Sequence, residues 1–82
     1  MTEQEFNRLL YEHDLRRSIC TLGKPPRDCM YTIQASESGY EVFYFERGIK
    51  ECVKSFKDKG ESLDYLFELL LADPRASNSF NV

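Results

Sequence analysis

The chain is short of the residues on which covalent chemistry and stapling depend. Its three cysteines, Cys20, Cys29 and Cys52, are odd in number with no C-x-x-C spacing, so neither a disulfide framework nor a zinc knuckle is written in it. Reduced thiols suit the cytosol. His13 is the only histidine, and no cluster of His, Cys and carboxylate at ligand spacing accompanies it. A lone histidine on the apolar stripe of a helix is a packed residue far more often than a nucleophile's base. Glu41 and Glu46 are five apart on a strand and point to opposite faces, which rules them out as an acid and base pair. The four glycines are scattered among turns, with no phosphate-cradling loop. No catalytic site, metal or cofactor is therefore expected. No apolar run approaches the ~20 residues of a membrane helix. The N-terminus is acidic from its third residue and lacks the basic region and apolar stretch of a signal peptide. The expectation is a cytoplasmic protein with no membrane partner.

What is present is enough to fold. Eighty-two residues make one domain, residues 1–82 with a flexible tail over 74–82, and such a chain buries only about 60–65% of the surface its unfolded form exposes. A large catalytic cleft does not fit that size. Five tyrosines and six phenylalanines are too many for a disordered segment. The net charge is −3, and the acidity sits at the end: residues 60–82 hold Arg75 alone against Glu61, Asp64, Glu68 and Asp73. That segment repels a phosphate backbone and attracts a basic partner surface.

The organising stretch is Tyr40-Glu41-Val42-Phe43-Tyr44-Phe45-Glu46-Arg47-Gly48, rich in aromatic side chains that suit a half-buried pleated surface. It reads as the central strand. Before it, Thr2 and Glu5 form a capping-box pattern that opens a helix over about residues 3–17. Phe6, Leu9, Leu10 and His13 share one face of that helix, and Tyr11, Leu15, Ile19 and Leu22 fall opposite, so it is either covered on two sides or broken near Arg16-Arg17-Ser18. Pro25 and Pro26 place a loop at 23–28. From Cys29, alternation of Cys29, Tyr31, Ile33 and Ala35 with polar neighbours reads as a strand, joined through Glu37-Ser38-Gly39 to the central one. Ile49–Phe56 is ambiguous between helix and strand, and meander logic favours a third strand. A second helix begins near Glu61, with Ser62 at its N-terminus, and stops at Asp73-Pro74. The expected fold is α+β, in the order α-β-β-β-α, a three-stranded antiparallel meander with two helices packed on one face.

Charges at both ends of the set Glu41, Phe43, Phe45 and Arg47 turn it outward, so Phe43 and Phe45 are either displayed as a contact patch or covered by a loop or the tail. Glu46 and Arg47 read either as contacts or as a pair bracing the Gly48 turn. Glu61, Asp64 and Glu68 read either as a contact surface or as a solvated helix face. The element order also matches the double-stranded-RNA-binding domain. Such domains set a lysine-rich helix start against phosphates, whereas this helix opens Glu61-Ser62-Leu63-Asp64, so nucleic acid is not the expected partner.

Tyr40-x-Val42-Phe43-Tyr44-x-Glu46-Arg47-Gly48, then Phe56, then Leu63-x-Tyr65-Leu66-x-x-x-Leu70-Leu71-x-Asp73-Pro74, resembles a family of small bacterial proteins with an aromatic strand ending in E-R-G and a later L-x-D-P. Asp28-x-x-Tyr31-x-Ile33 resembles that family's first strand, so the likeness covers about residues 28–74. The family resembles immunity proteins of polymorphic toxin and contact-dependent inhibition systems. The resemblance implies a non-enzymatic protein that binds and neutralises a cognate toxin, such as an NAD-glycohydrolase or nuclease domain, by occluding its active site. It departs from the family at Phe45, where a small polar residue is usual, and at the start of the second helix. The partner-binding residues expected are Phe43, Tyr44, Phe45, Glu46 and Arg47 on the strand, and Glu61, Asp64 and Glu68 on the helix. A dsRBD-like nucleic-acid module or another small protein-interaction domain is the alternative.

Overall fold

The computed structural model describes residues 1–77, and their order is α1 (Glu3–Glu12), β1 (Cys20–Leu22), β2 (Met30–Ser36), β3 (Gly39–Glu46), β4 (Ile49–Phe56) and α2 (Lys59–Ala72). The fold is α+β with two helices and a four-stranded mixed sheet in the order β1-β2-β3-β4. β2, β3 and β4 pair antiparallel, as the meander requires, and Ile49–Phe56 is a strand. The expectation of three strands needs a correction, because β1 adds a short fourth strand running parallel to β2, Cys20 opposite Tyr31 and Leu22 opposite Ile33. Three residues are too few to show a period. Ile19 and Leu22 instead completed a helical pattern with Leu15, but Ile19 ends a 3-10 turn over Arg17–Ile19 and Leu22 belongs to β1.

Helix α1 opens on the capping box: Glu5 N–H donates to Thr2 Oγ1 at 3.1 Å and Thr2 N–H donates to Glu5 Oε1 at 3.0 Å. It ends at Glu12 rather than 17, since Asp14 takes a left-handed φ of 55° that no α-helix continues. Tyr11 is accordingly 87% exposed, and the helix is covered on one side only. Leu15 then enters the core from a separate segment, held where Arg16 N–H donates to Ala76 O at 2.7 Å. Helix α2 starts two residues earlier than expected. Its cap is Asp58, whose Oδ1 accepts from Glu61 N–H at 2.8 Å, while Ser62 is buried and donates to Lys59 O. Pro74–Ala76 forms a 3-10 turn with Ala76 buried, and residues 78–82 of the expected tail lie outside the described residues.

One core joins the layers: Phe6 and Leu10 of α1, Leu63, Leu66 and Leu70 of α2, and Cys20, Ile33 and Val42 of the sheet, closed by Leu15 and Ala76. Burial pushes the Cys20 thiol up to about 12, so it stays protonated and inert. Cys29 and Ala35, expected on this face, are exposed; Cys29 precedes β2, which begins only at Met30.

Two tight turns fix the register. Ser36 opposes Gly39 across a two-residue loop, and a Cβ on Gly39 would collide with the Phe56 carbonyl. Arg47 and Gly48 form the β3–β4 loop with φ of 54° and 77°, the left-handed pair that a hairpin of this length needs. Strand β4 carries a bulge: Val42 opposes Lys54 and Tyr44 opposes Glu51, so Cys52 and Val53 together face Phe43, with Cys52 at φ 55°.

The set Tyr40, Val42, Tyr44 and Glu46 faces the helices, and Phe43 and Phe45 face away. Phe43 is nevertheless 1% exposed. Lys50 lies over its ring, ammonium 4.8 Å from the centroid, and reaches Glu41 at 3.3 Å, while the Phe45 ring packs at 6.4 Å.

Candidate functional site

Where α2 ends, the sheet goes on. Pro74 stops the helix, and beside that end side chains of β2, β3 and β4 line open space. The result is a trough of two adjoining cavities, of about 210 and 320 Å³, that share Tyr31, Tyr44 and Arg75.

Its floor is built from cross-strand partners. Tyr31 and Tyr44 are opposite each other on β2 and β3, with rings edge to face at 5.1 Å. Asp73, the residue that caps α2, ties the helix end to this floor: its Oδ2 accepts from Tyr31 Oη at 2.7 Å. The same carboxylate accepts from the Arg75 backbone N–H at 2.9 Å, from Nε at 3.3 Å and from Nη2 at 3.1 Å. The Arg75 guanidinium carbon then lies 5.5 Å over the Tyr44 ring. The Arg75 bonds hold the Asp73 carboxyl below the usual carboxylate range. Burial, then the bond to Asp73, pushes the Tyr31 hydroxyl up to about 12, and burial, then Cys29, raises Tyr44. Arg75 is held further above its ordinary value by Asp73. Both phenols therefore remain protonated donors at neutral pH.

Glu46 of β3 and Glu51 of β4 line the larger cavity with Cys52 and Leu69. Neither makes an ion pair with a described residue, and Arg75, the one cation among the described residues that line the cavity with them, is already matched by Asp73. The arrangement is a slot with phenolic walls, one apolar side and two unmatched carboxylates, complementary to a cationic side chain. Among the described residues, no group of three His, Cys, Asp or Glu could hold a metal ion.

The expected contact residues are dispersed over three places. Tyr44 and Glu46 are in the slot. Phe43 is corrected from contact to core, since Lys50 and Phe45 cover it; Phe45 is half-buried on the far face of the sheet, and Arg47 projects from the hairpin tip. Glu61, Asp64 and Glu68 line a shallow cavity of about 250 Å³ with Phe56 and Tyr65, sharing no residue with the slot. There Asp64 accepts from the Met1 amino group at 2.9 Å, and a side-chain hydrogen bond donated to Asp58, with the Asp58 charge, raises the Glu61 carboxyl. Sequence reasoning missed Tyr31, Glu51, Cys52, Leu69, Asp73 and Arg75 as members of one site. The available signal was register: a two-residue loop at Glu37-Ser38 sets Tyr31 opposite Tyr44.

In comparisons with known proteins, the chain matches no protein-family model, no curated protein and no solved structure. Among the described residues, no helix is long and apolar enough to cross a membrane.

Proposed function

We propose that this chain is a cytosolic immunity protein that binds a cognate bacterial toxin and covers its active site, without making or breaking bonds itself. The observation that carries the reading is the slot formed by Tyr31, Tyr44, Glu46 and Glu51, with Arg75 neutralised at its edge by Asp73. Toxins that act on nucleotides or nucleic acid present basic side chains around their substrate, and a lysine or arginine from such a site fits between two phenols and two free carboxylates. Tyrosine and arginine are also the residues that dominate interface energies. The separate acidic flank, Glu61, Asp64 and Glu68, adds long-range attraction that speeds encounter with a basic surface. The E-R-G strand and L-x-D-P resemblance supports a toxin as the partner, and the slot supports contact through a cationic side chain.

The test is protection of growth when the chain is co-expressed with the toxin domain encoded beside its gene. Protection by the wild type, and its loss in Glu46→Gln/Glu51→Gln with an unchanged melting temperature, is the expected result. Full protection by that double variant removes the slot from the mechanism. No protection by the wild type removes the function.

A further inference from the structure

The geometry points to a second site, unconnected with the toxin slot: a pocket for a phosphate monoester under the loop that joins β1 to β2. Arg17, Lys24 and Arg27 converge on one cavity of about 190 Å³, with Thr21, Pro25 and Met30 completing the wall the ligand would meet. Among the described residues no carboxylate lines it, and it shares no residue with the slot. In a chain of net charge −3, three cations around one cavity without an acid is a local reversal of sign. Elsewhere Arg8, Lys50, Lys59 and Arg75 each face a carboxylate.

The three cations are also suited in geometry. Arg17 is held in place, with Nε donating to Asn7 Oδ1 at 2.9 Å and Nη1 to Cys20 O at 2.8 Å, which leaves its Nη2 donors for a ligand. Lys24 and Arg27 make no hydrogen bond or ion pair to any described residue. Pro25 and Pro26 between them fix two φ angles of the loop, so less entropy is lost when the cations close on an anion. Thr21 spends its hydroxyl proton on Met30 Sδ at 3.5 Å, a weak acceptor that a phosphate oxygen would replace. Guanidinium groups match phosphate bidentately and lysine adds a point charge. The cavity admits one phosphate and a compact organic group resting on Pro25 and Met30. A long polyanion would meet the acids that give the chain its net charge.

The experiment titrates the full chain with phenyl phosphate, inorganic phosphate, sulfate and phenol, read by backbone amide NMR and calorimetry. Saturable binding of phenyl phosphate that moves the Gly23, Lys24 and Arg27 amides, weaker binding of inorganic phosphate and none of phenol, is the expected pattern. Lys24→Gln/Arg27→Gln should weaken phenyl phosphate by about tenfold or more with unchanged melting. Arg47→Gln/Lys57→Gln, which removes equal charge outside the pocket, should leave affinity as it was. Equal loss in both double variants, sulfate binding as tightly as phenyl phosphate, or absence of saturation would each overturn the site.

Discussion

The two faces of the sheet bury their central residues by different means. On one, Ile33 and Val42 disappear under Phe6, Leu63, Leu66 and Leu70 of the helices. On the other, no helix among the described residues contributes; Phe43 lies under the Lys50 ammonium and beside Phe45, and Thr32 opposite it is fully buried with its hydroxyl unpaired among the described residues. Which layer covers a residue therefore does not decide whether it is exposed. A long charged side chain laid along a strand can seal an aromatic as completely as a helix does.

If that equivalence holds, truncation on either face should be equally damaging. Leu66→Ala on the helix side and Phe43→Ala on the open side should each lose about 3–4 kcal/mol in urea unfolding. A loss under about 1 kcal/mol for Phe43→Ala would return that ring to the surface and separate the faces again. The next effect sharpens the boundary between them. Tyr31→Phe, which cuts the tie between sheet and helix end, should cost about 1–2 kcal/mol at neutral pH. Because Asp73 has a depressed folded value, its stabilisation is whole above the unfolded value of about 4 and disappears as pH falls through the lower folded one. Asp73→Asn should flatten that acid limb of the stability profile.

A gain is expected on the open face alone. Thr32→Val removes the unpaired hydroxyl at nearly constant shape and should stabilise by about 1 kcal/mol. The smallest effect separates the thiols. Native alkylation should label Cys29 and Cys52, which are exposed, and spare Cys20 on the helix side.

What could be read from the chain was whatever a period or a stop residue writes down: the capping box, the Asp73-Pro74 end, the alternation of β3 and its inward set. Three features of the structure left no such mark. β1 is too short for a period and depends on β2 to exist. The β4 bulge at Cys52 uses a left-handed φ on a residue other than glycine, so no breaker announces it. The slot is made by residues from β2, β3, β4, α2 and the turn after it, and only register and the length of α2 bring them together. Two of its residues, Tyr44 and Glu46, were recognisable because the strand carrying them is distinctive. The outward position of Phe43 was legible, and the choice between display and cover was not, because Lys50 lies beyond a turn.

The most direct measurement is calorimetric affinity for the toxin domain with two variants side by side, Glu46→Gln/Glu51→Gln in the slot and Phe45→Ala on the open face. Loss of about 100-fold in the first, from two charge-assisted contacts, with the second within about twofold of wild type, is the predicted result. The reverse order would place the partner on the other face of the sheet and contradict the slot.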